Sequence, residues 1–97
     1  MKTYTKKYEL VLNDTKVING RTLYRIRALV AIAATVVTPT VTVGDLGGYI
    51  ERVENLAAEG NAWVSGDARV YGDAQVSGNA RVYGDARVYG NARVYGD

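Results

Sequence analysis

From Gly60 onward the chain repeats a six-residue phrase without a gap: GNAWVS, GDARVY, GDAQVS, GNARVY, GDARVY and GNARVY, followed by Gly96-Asp97. Within each unit the residues after Gly run polar, Ala, polar, Val, polar. That alternation has period two, so each unit is a short strand with Ala and Val turned to one side. The Gly that ends each strand, with Asn or Asp after it, supplies a residue pair that tolerates the backbone angles of a tight corner. One unit is too small to bury its own apolar side. Units of this kind are stable only when stacked on one another, which makes the chain a solenoid.

The unit resembles the hexapeptide repeat of left-handed parallel β-helices, which implies three six-residue sides per coil and so places residues eighteen apart directly above one another, at about 4.8 Å. Val64 is then expected over Val82, Val70 over Val88 and Val76 over Val94. Ala62, Ala68 and Ala74 are expected over Ala80, Ala86 and Ala92. The outward positions fall on three faces: Arg69, Tyr71, Arg87 and Tyr89 on one, and Gln75, Ser77, Arg93 and Tyr95 on the second. The third carries Trp63, Ser65, Arg81 and Tyr83.

Composition fits a thin core of this kind. The chain has 97 residues, no Phe and a single Trp, so Val and Ala must fill the interior. Net charge is +2, too close to neutral to imply a nucleic-acid or membrane partner from bulk electrostatics. With no Cys there is no disulfide or thiolate chemistry, and with no His the commonest general base and metal ligand is missing. The N-terminus lacks the apolar core of a signal peptide. The apolar run 28–37 is too short to cross a bilayer, so a soluble chain is expected, cytoplasmic or virion-associated.

Ahead of the repeats the pattern decays. Ala58 keeps the register of Val64, whereas Ile50 and Leu56 are six apart but displaced by two, which suggests an irregular first coil over 43–59. Further back, Lys6–Leu12 and Arg21–Ile32 read as two strands flanking the turn-rich NDTKVING. They are expected to form a β-hairpin over the N-terminal end of the solenoid, because an uncovered coil exposes unpaired strand edges. The expected division is therefore 1–42, hairpin and apolar arm, and 43–97, the solenoid, with regular repeats over 60–97.

The segments KKYEL, NGRTLYRIRAL, GDLGGYIE, ENL and EGNAWV, followed by GDARVYG repeats, resemble a family of bacterial and phage hexapeptide-repeat proteins often labelled polymer-forming or transferase-like. The resemblance covers most of the chain. It implies an all-β fold, a left-handed parallel β-helix with an N-terminal cap, and a prophage setting. The segment 30–42 departs most from that pattern, being more apolar. It is open to two readings: a strand ending near Pro39 and packed on the first coil, or an exposed arm whose Val30, Ile32, Val36 and Val37 pair with another subunit or partner.

Many left-handed β-helix proteins are acyltransferases that use a His base, and this chain has none. Asp67, Asp73, Asp85 and Asn91 offer single oxygens at separate corners, a poor cage for a cation that needs six to eight ligands. The glycines Gly44, Gly47 and Gly48 lack the following helix of a phosphate loop and read as a tight turn. Regular Thr ladders, as an ice-binding face needs, do not occur in the repeats. No catalytic residue, metal site or cofactor is assigned.

What remains is binding. Arg69, Tyr71, Arg81, Tyr83, Arg87, Tyr89, Arg93, Tyr95 and Trp63 are the surface candidates, since Arg and Tyr combine large contact area with directional hydrogen bonds. The bland alternative is that they solubilise a β-surface of high strand propensity. The expected function is a non-enzymatic structural or protein-binding module, acting on a protein partner or another copy of itself. An inhibitor docking on a host enzyme, or a degenerate transferase scaffold, are the alternatives. The stop at Asp97 fits a piece of a longer repeat protein, an engineered solenoid, or end-to-end association. Small-molecule and nucleic-acid ligands are not expected.

Overall fold

A computed structural model describes residues 7–32, 40–58 and 60–96. Its first element is an antiparallel pair, β1 (Tyr8–Ile18) and β2 (Arg21–Ala28), joined at Asn19-Gly20. Both turn residues have positive φ, 52° and 79°, the demand of the two-residue hairpin turn that Asn-Gly satisfies. The first strand is longer than the sequence suggests. NDTKVI is not a turn but the second half of β1, entered through a bulge between Val11 and Thr15. The bulge aims Asp14 across the sheet at Arg25 (Nε to Oδ2, 2.9 Å) and Tyr49, so polar residues that mark loops elsewhere are held in a strand here.

The solenoid follows as β3 (Leu46–Ile50), a one-turn 3₁₀ helix (Val53–Asn55), β4 (Trp63–Val64), β5 (Arg69–Val70), β6 (Gln75–Gly78), β7 (Arg81–Val82), β8 (Arg87–Val88) and β9 (Arg93–Gly96). Its strands pair in parallel with an offset of eighteen residues: Val64 with Val82, Val70 with Val88, Val76 with Val94. The inward Val and Ala ladders are buried from Ala62 to Val82 and at Val88, whereas Val94 is partly buried and Ala86 and Ala92 of the last described coil are exposed. Each repeat Gly from Gly60 to Gly90 has φ between 64° and 79°. In the corners from Gly66 onward, the Ala two residues after the Gly donates its N–H back to the carbonyl of the residue before the Gly. Such a turn needs positive φ at its first central position, which is why Gly recurs there.

The first coil is offset by twenty residues, not eighteen: Ile50 pairs with Val70, and Leu56 bridges to Val76. The excess lies between Ala57, whose N–H bonds to Val76 O, and Asn61, whose N–H bonds to Gly78 O. Ala58 falls in that excursion and is exposed. The inward place on this side belongs to Leu56 instead. Gly47 and Gly48 are likewise not a turn. They lie inside β3, where an added Cβ would come 2.5 Å from Val64 O and 2.6 Å from Ala68 O respectively. Only Gly44, with φ 93°, shapes the turn before it.

The hairpin does not sit apart from the coils. β2 pairs antiparallel with β3, so one side of the solenoid continues into a five-stranded sheet ordered β1-β2-β3-β5-β8. Tyr8, Ile26, Ala28, Ile32 and Val41 join the Val/Ala ladders in one apolar cluster, and Leu23, Tyr49 and Tyr71 form a second on the outward side of the sheet.

Candidate functional site

The outward positions of the repeat are equivalent in sequence but not in surroundings. Trp63 is 2% exposed and belongs to the main core, which removes it from the surface candidates. It occupies an outward register position opposite Arg81, yet the start of the hairpin lies over it. Tyr8 meets its ring edge-on at 6.4 Å, and Lys7 Nζ donates to Ala62 O at 2.7 Å. Burial, and then the Arg81 guanidinium, push the Lys7 ammonium down to about 8. The Tyr8 hydroxyl lies 2.9 Å from Val53 O and 2.7 Å from Leu56 O, sharing its proton between them. Burial, with Glu54 nearby, raises its pKa to about 12.

Tyr71 is also buried, against Leu23 and Tyr49, and so is no free contact residue. Its ring stacks on that of Tyr89 with centroids 5.4 Å apart and planes 11° from parallel. Neighbouring Tyr49 is held by Arg25, whose guanidinium lies 4.5 Å from the ring centroid and donates to the hydroxyl at 2.6 Å, while Lys16 approaches the ring at 5.1 Å. Glu51 completes this covered region. It accepts from Gly72 N at 2.8 Å and from Arg21 Nη1 at 3.0 Å. Burial would raise its pKa, but the Gly72 N–H, Arg21 and Arg52 outweigh that and hold the carboxyl below its ordinary value.

The remaining candidates separate cleanly. Arg69 and Arg81 are half-buried, whereas Arg87, Arg93 and the tyrosines Tyr83 (47%), Tyr89 (58%) and Tyr95 (74%) are exposed. The last described coil therefore shows one Arg–Val–Tyr step on each of its three sides. A cleft of about 300 Å³ flanks the Tyr71–Tyr89 stack, with Arg21, Arg52 and Asn91 on its walls. Of the arm residues, Ile32 is buried and exchanges hydrogen bonds with Val41, so it is not available for an intersubunit contact. Val30 packs half-buried on the same core. Val36, Val37 and Pro39 lie outside the described residues.

Two features had no signal in the sequence. Asn55 is a buried side chain that uses all its hydrogen-bonding capacity at one corner. Its Oδ1 accepts from Glu51 N (3.1 Å) and Arg52 N (2.8 Å), and its Nδ2 donates to Gly72 O (3.2 Å) and Ala74 O (2.8 Å). The second is an apolar groove of about 630 Å³ between the start of β1 and the 3₁₀ helix, walled by Tyr8, Leu10, Leu12, Val53 and Leu56.

A stack of parallel strands with glycine corners at every sixth residue is a β-solenoid repeat protein. Residues 62–76, 74–88 and 86–97 each match the family model of the YdcK β-solenoid repeat, so the repeat segment of this chain is similar to that repeat. No curated protein matches the chain.

Proposed function

We propose that the chain is a non-enzymatic binding module. In this reading it is a left-handed β-solenoid whose N-terminal hairpin caps one end, and its exposed Arg–Tyr steps engage a protein partner. The observation that carries the reading is the exposure of Tyr83, Tyr89 and Tyr95 at the same repeat position on the three sides of one coil. Large aromatic side chains left in water on a rigid backbone have little conformational entropy to lose on contact, and Tyr with Arg is the pairing favoured at interface centres. Left-handedness is inferred from the hexapeptide period, with three sides to a coil. The cap is inferred from the placement of Tyr8, Ile26 and Ala28 in the solenoid core. The absence of His and Cys from the sequence, and the exposure of Asp67, Asp73 and Asp85 at the corners, support a role without chemistry.

The test is a selection of a displayed protein-domain library against the chain and against a variant with serine at Arg87, Tyr89, Arg93 and Tyr95. These side chains are exposed, so the variant should keep its circular dichroism spectrum, with stability lowered only by the loss of the Tyr89–Tyr71 stack, about 0.5–1.5 kcal/mol. Partners selected by the parent chain should bind the variant at least tenfold more weakly. An unchanged set of partners at unchanged affinity would sink the reading.

A further inference from the structure

The groove beside β1 combines three properties that the Arg–Tyr faces lack. Its walls are apolar, and two of them, Leu12 (72% exposed) and Val53 (55%), stand in water with nothing covering them among the described residues. It also runs beside a strand edge. β1 ends the five-stranded sheet, and the bond from Leu29 N to Lys7 O puts Lys7, Glu9 and Val11 on the side bonded to β2. By the alternation of an antiparallel ladder, the N–H and C=O groups of Tyr8 and Leu10 point away from β2, toward the open edge. The third property is charge: Glu54 lines the groove, the neighbouring Glu9 is paired with Arg27 on the same sheet, and the ammonium of Lys7 is turned inward to Ala62 O. The bulge after Val11 ends the usable edge, leaving room for about five residues of extended chain.

We propose that this groove is a peptide-docking site. It takes an extended segment of a partner protein as an added strand along Tyr8–Val11, with aliphatic side chains at alternate positions and a Lys or Arg set against Glu54. Backbone hydrogen bonds to Tyr8 and Leu10 supply register. The apolar walls read every second side chain, and the Glu54 carboxylate favours a segment with one basic residue. The inference deepens the reading of the chain as a protein-binding module by naming a second surface and the chemistry of what it takes.

The experiment is panning of a random heptapeptide library against the whole chain, followed by synthesis of the enriched peptides. Enriched sequences should alternate aliphatic residues with a Lys or Arg between them. Amide chemical shifts should move at Tyr8–Leu12 and Val53–Leu56. Affinity should fall at least tenfold with Leu12→Ser plus Val53→Ser, with Glu54→Lys, and on N-methylation of the peptide's alternate amides. The substituted side chains are exposed, so unchanged circular dichroism will show that the fold is intact. No enrichment, peptides without alternation, or binding indifferent to these changes would overturn the groove. Peptides that keep their affinity in the Leu12/Val53 variant but lose it in the Arg87/Tyr89/Arg93/Tyr95 variant would overturn the groove and leave the Arg–Tyr reading standing.

Discussion

Asn55 shows how much one polar side chain can carry. Its four hydrogen bonds stand in for a repeat corner where the Gly–Asx phrase is missing, tying the first coil to Gly72 and Ala74 of the next. Asn55→Ala leaves those backbone groups without partners in a buried place. Since each such loss costs about 1–3 kcal/mol, the variant should lose at least about 3 kcal/mol in chemical denaturation. Gly48→Ala acts differently, by collision. The new methyl meets the Ala68 carbonyl and the Val64 side chain, and overpacking of this sort costs about 1–3 kcal/mol. Lys7 and Tyr8 make the alkaline pH dependence. The pKa of Lys7 is depressed to about 8 in the fold, so between about 8 and its unfolded value near 10.4 the unfolded chain holds more protons. Stability should therefore rise with pH across that window. Tyr8 is raised to about 12, so above about 10 the folded state holds the extra proton and stability should fall again. Lys7→Met should abolish the rise and Tyr8→Phe the fall, both read from denaturation midpoints at successive pH values. Persistence of the rise in Lys7→Met would assign it to another group.

At the scale of elements, outward positions of the repeat have unlike energetic weight. Trp63 and Tyr95 both sit outward of a ladder, but the N-terminal strand covers the first and nothing described covers the second. Trp63→Ala should cost about 3–5 kcal/mol, the range for removing a buried aromatic. Tyr95→Ser should stay within about 0.5 kcal/mol. Equal effects in urea melts would contradict the placement of the hairpin over the β4 side. The elements also show where residue pattern was a sound guide. The repeats and the Asn-Gly hairpin turn could be read directly, since each depends on a few adjacent residues. The length of β1 could not. Its bulge is stabilised by Arg25 and Tyr49, which no local rule connects to Asp14. The two readings of the arm could not be separated for a similar reason. At Ile32 the packed one holds, because Val41, nine positions on, pairs with it.

For the whole molecule, the hairpin and coils share one apolar cluster and one continuous sheet. Unfolding should accordingly be a single cooperative transition, with the signal of Trp63 and the far-ultraviolet signal coinciding. Protection should still be graded. Ala68 and Ala74 are buried in the middle coil, whereas Ala86 and Ala92 of the last described coil are exposed. Hydrogen exchange should be slowest at Ile50 and Val70 and fastest along β8 and β9. Two resolved transitions, or uniform protection, would refute this picture. The six-residue period, the alternation that turns Val and Ala to one side and the glycine corners were legible in the sequence, because alternation and positive φ are properties of neighbouring residues. Which outward side chains stay in water was decided only by tertiary structure. Burial depends on whatever chain happens to lie overhead, so Trp63 and Tyr71 vanish beneath the hairpin while Tyr83, Tyr89 and Tyr95, identically spaced, remain exposed.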